Sequence, residues 1–195
     1  MSDKALTSAE LEVTQKIQTH FPRGLATEVL KYANECSVER LTAAVREMLE
    51  GLMCKVFCVT RGGKRTTEEM IAATKHTFVN ECITSANFPL VSGPDEAREL
   101  VAFQVDYDPT SEQVFVELEK RGLERPTHED ALKFDEAYPE EKGFFVFLHK
   151  PWLSSGGGPR VLVVYRVGAY RELDLHWFDV RWSRYDWVVG VRPRK

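Results

Sequence analysis

The chain has 195 residues, of which 43% are hydrophobic and 29% are charged, with a net charge of −4. This composition excludes an intrinsically disordered polymer, and no apolar run is long enough to span a membrane. The net charge gives no overall reason to expect nucleic acid as a partner. The four cysteines are Cys36, Cys54, Cys58 and Cys82, and no apolar leader opens the sequence. These features predict a cytoplasmic protein with reduced thiols.

Three short helices are predicted in the first part of the chain, over residues 7–21, 25–33 and 37–50. Thr7 and Glu10 have the spacing of a capping box, and Ser37 caps the third helix. The third helix has apolar residues at helical spacing, and Gly51 stands where a C-terminal cap belongs. Residues 52–60 are rich in β-formers and predict a strand. We therefore expect a helical subdomain, ending in a strand, over residues 1–60.

The next segment, residues 61–94, is predicted to be a connection. Gly62 and Gly63 indicate a turn, and Thr66 with Glu69 predicts a capping box that opens a helix reaching about residue 75. Residues 76–83 suggest a second short helix. Turn-forming residues then cluster over 85–94, which places the predicted domain boundary near residue 94.

Residues 95–195 alternate strands and helices more clearly. A strand is expected over residues 98–105, one helix beginning at 109–111 and ending at Gly122, and another opened by Thr127 and Asp130 and ending near Pro139. Residues 144–148 form an apolar run typical of a central strand. Three further strands are predicted over 160–167, 173–180 and 186–192, after a flexible loop at 154–159. The fold class is therefore α+β, in which short N-terminal helices precede a mixed, mainly antiparallel sheet with two helices.

Charge is distributed unevenly along this last part. Residues 98–142 hold 6 basic and 13 acidic side chains, whereas residues 143–195 hold 9 basic and 4 acidic ones. The asymmetry is explained most simply by an acidic helical layer lying beside a basic sheet. A basic surface for an anionic partner is the alternative.

Several short stretches are distinctive as a set, namely Thr77-Phe78-Val79-Asn80 with Ile83, Asn87-Phe88-Pro89, Gly122-Leu123, Arg125-Pro126-Thr127, Tyr138-Pro139-Glu140, Leu175-His176-Trp177-Phe178-Asp179 and Val191-Arg192. These stretches resemble those of a group of bacterial proteins with no established function. The likeness covers about residues 66–193 and implies family membership without implying any chemistry. A more distant likeness, in the order of strands and helices and in the opening of the second helix at Arg125, is to the C-type-lectin-like fold. The disulfides and calcium–sugar motifs of that fold are absent from residues 98–195, so sugar binding is not implied.

Three other patterns invite a chemical interpretation and have a simpler structural one. Cys54 and Cys58 share one strand face but lack the partners of a zinc site, which favours buried thiols. Asp174 and His176 share a strand face, where a carboxylate can orient an imidazole, although a solvated sheet face is favoured because alternation alone explains the placement. The basic stretch at residues 61–65 fails the spacing of a phosphate loop and is interpreted as a turn.

Aromatic and basic residues are concentrated together at the end of the chain. All four tryptophans lie there with seven interleaved arginines, a combination that suits single-stranded nucleic acid or an anionic peptide. The alternation of Trp177 with Leu173 and Leu175 predicts instead that its indole is part of the core. The tryptophans are Trp152, Trp177, Trp182 and Trp187, and the arginines are Arg160, Arg166, Arg171, Arg181, Arg184, Arg192 and Arg194.

The sequence thus favours a non-enzymatic binding or interaction module without a cofactor or a metal, whose partner is an unidentified protein or small molecule. Its proposed surface comprises the loop at residues 150–159 and the adjacent strands, with Trp152, Tyr170, Arg171, Asp174 and His176 as binding residues. Two alternatives stay open. One is a nucleic-acid-binding protein that uses the Arg/Trp-rich sheet, and the other is an enzyme with a site near Asp174 and His176.

Overall fold

The computed structural model describes residues 54–91 and 93–194. Contacts within the chain divide it into two units, Met1–Met53 and Cys54–Lys195. The helices predicted over residues 7–50 therefore lie outside the described residues. The second unit begins at Cys54, whereas the sequence placed a boundary near residue 94. The difference arises because residues 54–63 pair with residues 93–103 in one sheet.

Seven strands and three helices make up the described part of the chain. The strands confirm those expected from residue 98 onward, and 76–83, expected to be a helix, contains a two-residue strand instead. In chain order the elements are β1 (Cys54–Gly63), α1 (Thr67–Ala73), β2 (Phe78–Val79), β3 (Gly93–Phe103), α2 (Ser111–Lys120), α3 (His128–Ala137), β4 (Gly143–Leu153), β5 (Pro159–Val167), β6 (Tyr170–Trp177) and β7 (Trp187–Val191).

All seven strands belong to one mixed sheet, in the order β1-β3-β7-β4-β5-β6-β2. Only the β4–β7 and β2–β6 pairs are parallel, and the other four are antiparallel. β4 is the middle strand, as its apolar run predicts. The α+β class with a mixed sheet is thus confirmed, while the C-type-lectin-like arrangement stays a prediction.

Each described helix begins at a threonine that completes a capping box. Thr66 with Glu69 and Thr127 with Asp130 confirm the predicted starts of α1 and α3. At α2, the Thr110 hydroxyl accepts from the Gln113 N–H and the Gln113 side-chain oxygen accepts from the Thr110 N–H, a pair not predicted from the sequence. These reciprocal bonds satisfy backbone N–H groups that otherwise lack a partner at the start of a helix. Each cap stabilises the protein by about 1 kcal/mol.

Neighbouring residues of a strand point to opposite faces of the sheet. Helices cover both of these faces. On one side, called the α3 face, α1 and α3 cover a core that includes Phe57, Phe134 and Phe145. On the other, called the α2 face, α2 and Trp182 cover Val146 and other apolar residues. The middle strands are therefore buried on both sides, which explains the unbroken apolar run in β4.

One buried ion cluster ties α3 to the sheet. One oxygen of the Asp135 carboxylate forms an ion pair with the Arg166 guanidinium, and the other oxygen lies 2.7 Å from His76 Nε2. All three side chains are only 4% exposed. Arg166 also donates to the carbonyls of Asp135 and Tyr138. Asp135 is thus held by partners from β5 and from the segment that follows α1.

Side chains from α3 also bond to the outer backbone of the edge strand β1. The Tyr138 hydroxyl accepts from the Cys58 N–H and donates to the Cys58 carbonyl, both at 2.9 Å. The Glu129 carboxylate accepts from the Gly62 N–H at 3.0 Å. Gly62 has φ +96° at a register shift in β1, and a Cβ there would approach the Pro94 carbonyl oxygen to 2.6 Å. The predicted Gly62–Gly63 turn is therefore a distorted end of the strand.

Candidate functional site

A bulge in β4 shapes the end of the sheet where the loop at residues 154–158 lies. Pairing between β4 and β5 is interrupted between Phe147 and Trp152. His149 fills the gap, since its Nε2 accepts the Leu162 N–H at 2.9 Å and its Nδ1 lies 2.6 Å from the Lys150 carbonyl. Because a carbonyl only accepts, Nδ1 carries the proton and the ring is neutral. Burial lowers the pKa of His149 from 6.5 to about 4.

The sequence gives no partner for His149, and the reason is visible in the bulge. Its partner is a backbone N–H thirteen residues away on the neighbouring strand, which no motif specifies. Both ring nitrogens are occupied in this arrangement. The His149 ring therefore satisfies two backbone groups by hydrogen bonding, and it is unsuited to act as a general base or a metal ligand.

Beyond the bulge, three side chains lie in a line across β4, β5 and β6. Trp152 is directly opposite Arg160, and Arg160 is directly opposite Trp177. Directly opposite residues share a face of the sheet at about 5 Å, so Arg160 is flanked by a tryptophan on each neighbouring strand. We call Trp152, Arg160 and Trp177 the indole–guanidinium row.

The two indoles of the row differ in exposure. Trp152 is half-buried against Phe88, with ring centroids 5.9 Å apart. Trp177 is 46% exposed, so the prediction that it belongs to the core is wrong. Trp177 lies on the same face as Leu173 and Leu175, but it is the last residue of β6. The helix α3 packs against β1, β4 and β5, so it does not cover this end of β6. Its indole extends over Gly158, where any Cβ would clash with the ring.

Arg160 differs from every other arginine in the described ranges. Its guanidinium lies 4.2 Å from the centre of the Trp177 ring. Its Nε is buried without a hydrogen bond, and no carboxylate or carbonyl in residues 54–91 or 93–194 pairs with it. The other arginines in these ranges form ion pairs with carboxylates or donate hydrogen bonds to carbonyls.

Most of the basic sheet is neutralised within the protein. Arg171 pairs with Glu140, and Arg184 with Asp108, so acidic residues of 98–142 meet basic residues of 143–195. This pairing agrees with the internal use of the charge asymmetry. Among the arginines of the C-terminal aromatic cluster in the described residues, Arg160 is the one that has neither a carboxylate nor a carbonyl partner there.

The five predicted binding residues do not form one surface. Tyr170, Asp174 and His176 share the α2 face of β6, whereas Trp152 and Arg171 belong to the α3 face. Tyr170 pairs with Val167 at one end of β5, and Trp152 pairs with residue 160 at the other. Seven residues of strand separate these positions by about 23 Å. Tyr170 is 62% exposed, so its ring is accessible but distant from Trp152.

Asp174 and His176 share a face without bonding to each other. The Asp174 carboxylate accepts from the Asn80 amide and from the Leu175 N–H, both at 2.7 Å. His176 lies against Trp182, with ring centroids 5.4 Å apart, and its buried Nδ1 has no hydrogen-bond partner in the described part of the chain. The carboxylate therefore does not orient the imidazole.

A second carboxylate lies after β6. Burial raises the pKa of the Asp186 carboxyl, while a 2.8 Å bond from the Ser183 N–H opposes the shift. No three His, Cys, Asp or Glu side chains come together as metal ligands within residues 54–91 and 93–194. Of the two cysteines considered as buried thiols, Cys58 is exposed, because it occupies an outward position on the edge strand.

The chain matches no protein-family model, none of the curated proteins and no solved structure. In the described ranges, no helix combines the length and the apolar character needed to cross a membrane.

Sequence reasoning identified Trp152 but missed Arg160 and Trp177 as a pair. Strand alternation places Trp177 on the α3 face correctly, but it does not show where the covering helix ends. A usable signal was the run of small residues at 156–158, which leaves room for a large ring beside the hairpin.

Proposed function

We propose that this protein is a non-enzymatic binding module and that its site is the indole–guanidinium row. The ligand class that suits the row is a small anion that carries a planar ring, as a nucleoside monophosphate does. One observation supports the proposal above the others. The Arg160 guanidinium is stacked on an exposed indole and has no hydrogen bond or ion pair to the described residues.

The chemistry of the two groups is complementary. A guanidinium presents a planar fork of N–H donors that fits a phosphate or carboxylate in a bidentate manner. An exposed indole offers a π-face on which a base can stack, at about 1–3 kcal/mol per base. A buried N–H without a partner costs about 1–3 kcal/mol, whereas an exposed cation–π contact contributes only about 0.5–1 kcal/mol. A bound anion would offset this difference.

The two alternatives have less support from the same geometry. A nucleic-acid surface needs a track of unpaired cations, and most arginines of the C-terminal part are bonded to carboxylates. An enzyme near Asp174 and His176 needs contact between the two groups, but the carboxylate bonds to Asn80. The proposal retains the cytoplasmic, bacterial setting and the C-type-lectin-like fold that the sequence favours.

The test is a fluorescence titration of the full chain with adenosine 5′-monophosphate, because both indoles of the row should respond. We expect saturable quenching at concentrations up to about 5 mM, with weaker effects from adenosine or inorganic phosphate alone. Arg160→Met should weaken binding at least about tenfold, since it removes a charge-assisted bidentate pair. Trp177→Leu should weaken it similarly.

The matched control is Arg181→Met. Arg181 is an exposed arginine that donates to the Asp108 carbonyl, outside the row, so its loss should leave the affinity unchanged. Absence of saturable binding, or equal binding by Arg160→Met, would refute the proposal. A ten-nucleotide oligothymidylate that binds more than about a hundredfold tighter, with a steep salt dependence, would replace it by the nucleic-acid alternative.

A further inference from the structure

A separate cavity of about 440 Å³ lies beside the start of α3. Its walls come from the end of β1, the segment before β3, the turn that leads into α3 with the first residues of that helix, and the bulge of β4. The volume falls within the range of about 300–1,000 Å³ that is usual for small-ligand sites. The cavity therefore has the size of a ligand site and draws on segments distant in sequence.

Three cations line this cavity, each from a different segment. They are Arg61 at the end of β1, Arg125 before α3, and Lys150 in the bulge. The carboxylate among the lining residues is Glu129, which is 2% exposed. Its Oε1 is already occupied by the Gly62 N–H, and its Oε2 lies 3.6 Å from Arg61 Nε. The fixed charges of the lining therefore carry a net charge of +2, without counting the imidazoles.

The hydrogen-bonding capacity of these cations is not exhausted by the described residues. The Arg61 Nε is buried and makes no hydrogen bond to them. Arg125 donates from Nε and Nη2 to the carbonyls of Leu148 and His149, which leaves Nη1 unused within the same ranges. The Lys150 ammonium likewise has no bond to a described side chain or carbonyl. Three segments thus each bring to the same cavity a cation with N–H donors that no described residue accepts.

The remaining walls are apolar or neutral. Val91, which is 63% exposed, and Pro126 contribute apolar surface. The His149 ring is fixed as the neutral tautomer by its two bonds. Partial burial also lowers the pKa of Arg125, which indicates a reduced local dielectric that strengthens attraction to an anion.

From this arrangement we infer a second binding site for a small carboxylate with a short aliphatic tail. The carboxylate receives N–H donors from Arg125, Arg61 and Lys150, and the tail lies against Val91 and Pro126. Carboxylates match guanidinium donors well, and a tail gains about 0.8 kcal/mol per buried methylene. This site does not depend on the indole–guanidinium row.

The experiment is a thermal-unfolding series on the full chain with acetate, butyrate, hexanoate, hexylamine and inorganic phosphate at matched ionic strength. Stabilisation should increase from acetate to hexanoate, be weaker with phosphate than with hexanoate, and be absent with hexylamine. In ¹H–¹⁵N spectra, hexanoate should shift the amides of Val91, His128 and Lys150. Stabilisation by phosphate or hexylamine equal to that by hexanoate would overturn the inference, as would the lack of any dependence on tail length.

Three substitutions distinguish this site from nonspecific binding of the alkyl chain and from the indole–guanidinium row. Lys150→Met should lower the hexanoate affinity about tenfold, because it removes an exposed cation without disturbing the bulge. Lys142→Met, an exposed lysine outside the cavity lining, is the matched control and should bind as the wild type does. Arg160→Met should also retain hexanoate binding, so failure of the row and failure of this site are distinguishable. Equal affinity of Lys150→Met and the wild type would exclude the site.

Discussion

His149 makes the stability of the fold depend on pH in a calculable way. The unfolded chain takes up a proton on this ring below pH 6.5, whereas the folded chain does so only near pH 4, because burial lowers the pKa. The free energy of unfolding is therefore highest above pH 6.5 and falls as the pH decreases toward 4. At up to about 1.36 kcal/mol per pH unit, the loss from this residue reaches about 2 kcal/mol by pH 5.

The perturbation is His149→Gln, which removes the titrating ring and retains an acceptor for the Leu162 N–H. At pH 7.5 we expect a loss of about 1–3 kcal/mol, from weaker bonding to the bulge. Lowering the pH to 5 should reduce that difference by about 2 kcal/mol, because only the wild type has a ring whose protonation favours unfolding. Urea unfolding followed by tryptophan fluorescence at pH 7.5, 6.0 and 5.0 measures this.

Val163→Ala is the control, since it removes buried apolar contacts on the α2 face and no titratable group. Its cost should be the same at all three pH values. If the difference between His149→Gln and the wild type is also independent of pH, then the ring is protonated equally in both states. The assignment of a neutral, buried His149 would then be wrong.

Three further changes test other parts of the fold. Asp135→Asn should cost about 3–5 kcal/mol in urea unfolding, because it leaves the buried Arg166 guanidinium without its counter-charge. Tyr138→Phe should cost about 1–2 kcal/mol and speed hydrogen exchange at the Cys58 amide, since it removes both bonds to that residue. Asp186→Asn should raise the free energy of unfolding at pH 7, because burial raises the pKa of this carboxyl and its charge is costly in the fold.

Each of these expectations has a contrary result. Loss of less than about 1 kcal/mol in Asp135→Asn would mean that the cluster behaves as an exposed pair does. Unchanged exchange at Cys58 in Tyr138→Phe would show that the hydroxyl does not protect the amide. The gain in Asp186→Asn should vanish below pH 3.8, where the carboxyl is protonated in both states, and a gain that persists there would have another cause.

Local signals in the sequence were sufficient for most elements after residue 65. The capping boxes at Thr66 and Thr127 begin helices because they satisfy backbone donors within four residues. The apolar run in β4 indicated a strand buried on both sides. The exception, residues 76–83, lacks a capping signal, and its two-residue strand forms through parallel pairing with β6, about 94 residues away.

The candidate site was less accessible to sequence reasoning for a physical reason. Alternation assigns Trp177 to a face of β6, but exposure depends on the reach of a helix from elsewhere in the chain. Likewise, nothing in the spacing of Asp174 and His176 reveals that the Asn80 amide donates a hydrogen bond to the Asp174 carboxylate. Which partner a side chain takes is set by strand order, and strand order is not encoded in local periodicity.

The bonds from α3 to the outer backbone of β1 also have a consequence for assembly of the chain. Their partners are separated by 67 residues in one case and 80 in the other. Until α3 docks, β1 presents unsatisfied amides and a β-forming apolar sequence that another chain can extend into an aggregate. Protection of this edge therefore depends on the docking of α3, and we expect variants that weaken this docking to reduce the soluble yield.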